Sequence, residues 1–562
     1  MTRTWSSFAP ALLALFWVAV PAAASEPQHV FPRAAVASDS ALASRIGAEV
    51  LAAGGNAADA AVAVGLALGV AQPFASGLGG GGFLLYRDAA TGEVLALDFR
   101  ETAPRASSDT MFLAEDGSID RELYLFSGRS VATPGELRGW WALHERFGRM
   151  AWADVIAPVT RLASEGFEAP ELLLQRLAFV EERGRSLDRL GALYDAPQWP
   201  PQAGDWLRMP ALAATLGQIA AEGWGPFYEG EMADAIVRRV RAERGVLDAD
   251  DLVAYRAVWR EPFVTEFAGH VVYGMGPPSS SGLVIAQVLR YLEHFPLPLL
   301  QWNEAATTHI LAHGLAHAFA DRARYLGDED FVVVDRDALL SAARIEHMVQ
   351  TWLPRRAPES RVYGPAIAPP DNGGTAHFSI VDEAGNAVAV TTTVNTTFGS
   401  FVVVDELGIV LNNEMADFTP TANSANVFGL YGAEANRVEP NKRPLSSMAP
   451  LIVTREGQLV GSLGGSGGPR IISGSLMVLV QLLLYRATAA DAIAAPRIHH
   501  QWQPNVLYVE ETLPESVSQR LEAYGWTVQR QPFGNAVQAV WRHPQGWEAA
   551  SDPRKLGSPA GI

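Results

Sequence analysis

Pro369-Pro370-Asp371-Asn372-Gly373-Gly374-Thr375-Ala376-His377-Phe378-Ser379-Ile380-Val381 is the stretch on which the fold turns. Its first six residues are a concentrated turn signal with neither helix nor strand tendency. From Thr375 onward apolar and polar residues alternate, the period of a half-buried strand. Asp382-Glu383-Ala384-Gly385-Asn386 then turns the chain, and Ala387 to Asn395 returns as a β-branched strand. A turn-rich run therefore delivers a threonine to the first position of a strand in a hairpin.

A threonine hydroxyl within a chain is a weak nucleophile and needs a base. Cutting the bond before Thr375 would free its own α-amine for that task, with an ordinary pKa of about 7.7–8.0. The hydroxyl can make the cut itself: attack on the Gly374 carbonyl, an N-to-O acyl shift, then hydrolysis of the ester. Glycines at 373 and 374 let the backbone accept the strained approach. The plainer alternative is a turn that merely enters a strand.

Further along, Gly464-Gly465-Ser466-Gly467-Gly468 precedes Pro469-Arg470-Ile471-Ile472 and a long apolar helix. Unhindered amides at a helix entrance are good donors to a developing oxyanion, each worth roughly 3 kcal/mol of barrier. The same run also fits a nucleophile elbow, Gly464-x-Ser466-x-Gly468, with histidines at 499, 500 and 543 and Asp491 as acid. That serine-hydrolase alternative leaves the Gly-Gly-Thr hairpin without a purpose.

The chain has 562 residues, 48% hydrophobic and 19% charged, so it can bury two or more cores or one large sandwich. Its formal net charge of −18 repels phosphate backbones and argues against a nucleic-acid partner. There is no cysteine, which excludes disulfides, thiol nucleophiles and thiolate metal sites. Arg3, the apolar run Ala9 to Val20 and Ala22-Ala23-Ala24 read as a signal peptide cleaved after residue 24. The apolar run is short of the roughly 20 residues that a spanning helix needs. A periplasmic or secreted protein with no membrane anchor is expected.

Ala41 to Ala53 has helical periodicity and stops at Gly54-Gly55; Asn56 caps a second helix, Ala57 to Val70. Phe83 to Tyr86 and Glu93 to Phe99 are strands joined across Thr91-Gly92. From Trp140 to Arg356 helix formers dominate, with loops such as Pro277-Pro278-Ser279-Ser280-Ser281-Gly282 between them.

Five segments, in order along the chain, resemble the gamma-glutamyltranspeptidases. They are Asp98-Phe99-Arg100-Glu101, Asp371 to His377, Asn412-Asn413-Glu414-Met415, Pro440-Asn441-Lys442-Arg443-Pro444-Leu445-Ser446-Ser447-Met448, and Ala495-Pro496-Arg497-Ile498-His499-His500-Gln501-Trp502. The resemblance implies an α+β fold, the four-layer αββα N-terminal-nucleophile sandwich. It also implies autocleavage between Gly374 and Thr375 into a large subunit, 25–374, and a small subunit, 375–562, which stay together as a heterodimer. Thr375 would be the nucleophile, Thr393 its hydrogen-bonded helper in processing, and Gly467 with Gly468 the oxyanion pair. The donor would be glutathione or another γ-glutamyl compound, and the acceptor water, an amino acid or a peptide. No cofactor or metal is implied.

Residue by residue, the resemblance gives Arg100, Ser446 and Ser447 to the α-carboxylate of the γ-glutamyl group, a task suited to a planar guanidinium. Asn395, Glu414 and Asp417 would take the α-ammonium. A salt bridge from Arg100 to Asp98 or Glu101 is the alternative use of that arginine. The sequence departs from the family pattern at Ala416, where an acid is usual, and at Phe428, where many bacterial relatives have tyrosine in a lid-like segment, Pro420 to Ala433. The extra glycines at 464 and 465 blur the register of the oxyanion run. Within the same fold a β-lactam (cephalosporin) acylase is an alternative, and a non-catalytic binding protein is another.

His309, His313 and His317 share one helix face at i, i+4 and i+8, yet no acidic ligand sits between them, so packing is expected. The glycine run 77–82 lacks the Lys-Ser/Thr of a phosphate loop.

Overall fold

The computed structural model describes residues 29–359, 362, 373–421 and 424–562. The expected signal peptide and the residues just before Gly373 lie outside them. Helix α1, Ala57–Ala71, begins as expected: Asn56 accepts from the amides of Ala58 and Asp59, and Asp59 accepts from the Asn56 amide in return. All fifteen of its residues are buried, as a helix that is apolar all round must be. Strands β1, Gly81–Arg87, and β2, Val94–Phe99, pair antiparallel. Helices α2, Ser281–Leu292, and α3, Ala305–Tyr325, pack together. The threonine hairpin is β3, Gly373–Val381, with β4, Ala387–Thr396. Strand β5, Gln458–Ser466, helix α4, Arg470–Val480, and β6, Ala536–His543, complete the parts that build the site.

Two seven-stranded sheets organise the molecule. One runs Ala560–Gly561, Ala35–Ser38, β3, β4, β1, β2, Val258–Arg260. The other runs His29–Phe31, Gly546–Ala550, β6, β5, Leu451–Arg455, His270–Gly274, Phe263–Phe267. Strand β3 packs face to face on β5 and β6; α1 covers the outer side of β3 and β4, and α4 covers β5 and β6. The order helix, sheet, sheet, helix is the expected αββα sandwich.

Alternation along the hairpin decides which face meets what. Ala376, Phe378, Ile380, Val388 and Val390 join the core that includes α1. Val381, Ala387 and Ala389 point the other way, into a core shared with Leu451, Val453 and Val537 of the second sheet. By the same parity Thr375 and His377 belong to the inter-sheet face. The layers approach closely there: a Cβ at Gly464 would lie 2.3 Å from Cε1 of His377. Among the described residues no helix is long and apolar enough to cross a membrane.

Candidate active site

Strand pairing brings Thr375 opposite Thr393 and Gly374 opposite Asn395, so Val394 is left over as a bulge. Asn395 takes up the extra residue with a left-handed backbone, φ 78°. The kink sits beside the Gly374–Thr375 peptide and aims its atoms. Thr393 Oγ1 donates to the Gly374 carbonyl at 2.6 Å and accepts from the Asn395 amide at 2.8 Å. Its only proton is thus committed, so in the 3.2 Å contact between the two hydroxyls Thr375 is the donor. The Thr375 hydroxyl and the Gly374 carbonyl therefore share one partner. Gly374 is needed for room rather than for a left-handed backbone: a Cβ there would meet the carbonyl oxygens of Phe74 at 2.5 Å and Thr396 at 2.6 Å.

Behind Thr375 lies a residue the sequence did not announce. Lys555 is buried, and its Nζ donates to the Thr375 carbonyl at 2.5 Å and to Asp39 Oδ2 at 3.0 Å. Burial pulls its pKa down, and Asp39 opposes that. The chain has only two lysines, Lys442 and Lys555, and both are buried. In a sequence that otherwise uses arginine, that rarity was the available signal.

Asp39 also settles the serine-hydrolase alternative. The Ser466 hydroxyl donates to Asp39 Oδ2 at 2.8 Å, and Gln538 donates to Oδ1. Ser466 is the last residue of β5, fully buried, and no histidine bonds its hydroxyl among the described residues. His499 bonds Ser473 and Gln501 instead. Gly464 and Gly465, expected to belong to the oxyanion loop, are strand residues paired with Gln538 and Val537. Only Gly467 and Gly468 form the turn, with φ 118° and 60°. Among the described residues neither of their amides donates to another backbone group, as an oxyanion pair requires.

Thr375, Thr393 and Gly468 line one cavity together with all six predicted substrate ligands: Arg100, Asn395, Glu414, Asp417, Ser446 and Ser447. Asn395 donates its Nδ2 to the Asn413 carbonyl at 2.9 Å, while its Oδ1 accepts no hydrogen bond among the described residues. Ser446 is fixed through its backbone to the Pro277–Ser281 loop: its amide donates to Pro278 at 2.8 Å, and its carbonyl accepts from Ser280 Oγ at 2.7 Å. Ser446 Oγ accepts from the Met448 amide at 3.1 Å.

Arg100 is fully engaged. Its Nη1 pairs with Glu414, its Nη2 with Asp417 at 2.5 Å, and its Nε donates to the Pro444 carbonyl at 3.3 Å. The alternative partners expected from its neighbours play a lesser part, since Glu101 is 3.7 Å away and Asp98 accepts only the Arg100 amide at 3.0 Å. The predicted carboxylate ligand and two predicted ammonium ligands thus form one buried ion cluster. Burial pushes Glu101 up to about 8, against the pull of Arg100, and raises Asp417 as well. Glu101 is therefore a neutral acid near pH 7.

Two further residues complete the cavity. Arg322 of α3 lines it, a guanidinium to which the sequence assigned no part in the site. Phe428 forms the roof, its ring 3.3 Å from where a Gly468 Cβ would sit. Asn426 Oδ1 accepts from the Phe428 and Leu430 amides and so shapes that segment. Ala416, the other departure, is buried, and its carbonyl accepts from Tyr124 Oη at 2.6 Å. The three helical histidines pack as expected: His309 accepts from Trp526 Nε1, and His313 bonds the Met348 carbonyl.

An αββα sandwich with a threonine poised at an inner strand, its hydroxyl and the preceding carbonyl bonded to one helper, defines an N-terminal-nucleophile hydrolase. Comparison with known proteins agrees. The gamma-glutamyltranspeptidase family model matches residues 43–562, and the chain belongs to that family. It is 40% identical over 524 residues to the glutathione hydrolase proenzyme of Escherichia coli K12, covering 93% of this chain and 90% of that one. It is 36% identical over 534 residues to the same-named protein of Pseudomonas aeruginosa PAO1, covering 93% of each. Among solved structures, a cephalosporin acylase from Bacillus halodurans superposes with a TM-score of 0.84 at 25% identity, over 98% of this chain and 99% of that one. A chain of the Helicobacter pylori gamma-glutamyltranspeptidase superposes at 0.53 with 35% identity, over 56% of this chain and 90% of its own.

Proposed function

We propose that this enzyme cleaves itself between Gly374 and Thr375, then transfers the γ-glutamyl group of glutathione or a related amide to water, an amino acid or a peptide. The observation that carries this reading is the shared contact of Thr393 with the Gly374 carbonyl and the Thr375 hydroxyl. In the precursor Thr375 Oγ1 attacks the Gly374 carbon while Thr393 steadies the carbonyl oxygen. The C–N bond breaks, the Thr375 nitrogen gains a proton, and water hydrolyses the resulting ester. In the mature enzyme the freed α-amine takes the hydroxyl proton as Oγ1 attacks the γ-carbonyl. Gly467 and Gly468 hold the oxyanion, and the amine returns its proton to the leaving amine. Water or the acceptor then resolves the acyl-enzyme.

The assigned donor contacts are Arg100, Ser446 and Ser447 for the carboxylate and Asn395, Glu414 and Asp417 for the ammonium. Their convergence on one cavity with Thr375 supports that assignment. The Helicobacter pylori match, which spans nine-tenths of one solved chain but little more than half of this one, supports division into subunits 25–374 and 375–562. Arg3, the apolar run and Ala22–Ala24 support removal of residues 1–24 and release to the periplasm or medium.

The test is N-terminal sequencing of the purified bands, with assay on γ-glutamyl-p-nitroanilide. A small band beginning Thr-Ala-His-Phe and release of p-nitroaniline are expected. An active preparation that remains one unbroken chain overturns the reading. The likeness to a cephalosporin acylase favours one rival donor, an acyl group without an α-ammonium. Faster turnover of glutaryl-p-nitroanilide than of its γ-glutamyl counterpart would decide for that rival.

A further inference from the structure

Two guanidiniums face the cavity, and they are not equivalent. Arg100 is tied to Glu414 and Asp417 and to the Pro444 carbonyl, so each of its nitrogens already has a partner. Arg322 is buried as deeply, at 3% exposure, yet no carboxylate oxygen lies within 4.0 Å of it among the described residues. Its Nε donates to Ser280 Oγ at 3.0 Å and its Nη2 to Ser447 Oγ at 3.4 Å; both acceptors are neutral. Its Nη1 has no hydrogen bond among the described residues. A buried cation without an anion is costly unless something supplies one. Burial does pull Arg322 down to about 10, with Asp417 opposing and Arg100 reinforcing the shift.

The surroundings say what the missing anion is. Arg100, Arg322, Glu414 and Asp417 all line the cavity, and both acids sit on Arg100. Groups of both kinds favour a ligand that carries one charge of each sign, its anion toward the guanidinium that neither acid holds. We infer that Arg322 is a specificity-determining residue, a second guanidinium that receives the donor's α-carboxylate and holds the Ser447 hydroxyl toward it. This rests on the γ-glutamyl reading above and adds to it a determinant on α3. Arg100 then acts between the ligand and the two acids, whereas Arg322 faces the carboxylate alone.

The experiment compares γ-glutamyl-p-nitroanilide with 4-aminobutyryl-p-nitroanilide, the same donor without its α-carboxylate, on the wild type, R322K and R322Q. Cleavage into two subunits is checked first. R322Q is expected to raise KM for the γ-glutamyl donor about ten- to a hundredfold, the effect of losing one charge-assisted bond. Its kcat is expected to stay within about threefold, and its loss on the aminobutyryl donor to be at least about tenfold smaller than on the γ-glutamyl donor. R322K, which keeps the charge but not the fork, should fall between. An unchanged ratio of kcat/KM for the two donors, or an equal loss on both, overturns the inference. So does failure of both variants to form subunits, which would make Arg322 a folding residue. A wild type inert toward the γ-glutamyl donor would instead refute the reading beneath it.

Discussion

Thr393 donates its hydroxyl to the carbonyl of Gly374 at 2.6 Å, on the peptide bond proposed for self-cleavage. Replacing Thr393 by alanine is expected to slow conversion of the precursor about a hundredfold, the loss typical of one oxyanion donor. T393S keeps the hydroxyl and should convert at near the wild-type rate. Band conversion over time on a denaturing gel measures both. Two subunits appearing from T375A would contradict the scheme altogether.

Lys555 couples the Thr375 carbonyl to Asp39. K555M strips Asp39 of its buried counter-charge and should cost about 3–5 kcal/mol of stability, read from denaturant melts. It also removes a positive charge near the liberated amine. The rising limb of kcat/KM against pH should therefore move to higher pH, because an amine beside fewer cations holds its proton longer. A limb that stays in place would separate Lys555 from catalysis.

Ser466 bonds Asp39 rather than a histidine. S466A should cleave itself and turn over substrate, with a loss of about 1 kcal/mol in stability from the missing hydrogen bond. Complete loss of activity with a normal melt would revive a serine nucleophile.

Asp417 is assigned to the donor's ammonium and is bound to Arg100. D417N should raise KM for γ-glutamyl-p-nitroanilide at least tenfold while leaving glutaryl-p-nitroanilide, which lacks the ammonium, little changed. Equal losses on both donors would mean that Asp417 serves only to hold Arg100.

Burial lowers His313 and His377 to about 3 and His500 to about 4. The unfolded chain binds these protons near pH 6.5, whereas the folded one resists them. The stability they contribute is thus complete above about pH 6.5 and drains away as pH falls toward 4. Each should add a slope of up to about 1.4 kcal/mol per pH unit in that window. H377N, measured by thermal melts from pH 7 to 4, should flatten the profile by one such share.

Much of this was legible beforehand because it is local. The hairpin follows from alternation after Thr375 and the Asp382–Asn386 turn, and the α1 start follows from Asn56 and Asp59. The convergence of Arg100 with residues some 300 positions later was legible only through family resemblance, since spacing cannot reveal partners from opposite ends of a chain. What escaped has the same cause. Arg322 looks like any helical arginine until α3 is laid beside Ser280 and Ser447, and Lys555 looks like a tail residue until it is found under Thr375. The glycines at 464 and 465 misled because composition suggested a loop, when the real demand was room, beneath His377 of the facing sheet at Gly464 and beside the Ala536 carbonyl at Gly465.

Both sheets are woven from the two sides of the 374–375 bond. Ala35–Ser38 is clasped between Ala560–Gly561 and β3, β4 pairs with β1, His29–Phe31 with Gly546–Ala550, and His270–Gly274 with Leu451–Arg455. Under the proposed cut at that bond, a chain folded this way would become two polypeptides that were never separate while folding. Once unravelled, they must find each other in solution to rebuild five seams, a bimolecular search the newborn protein never faced. Heating should therefore inactivate the mature enzyme without recovery, and its endurance is set by how slowly it opens rather than by an equilibrium.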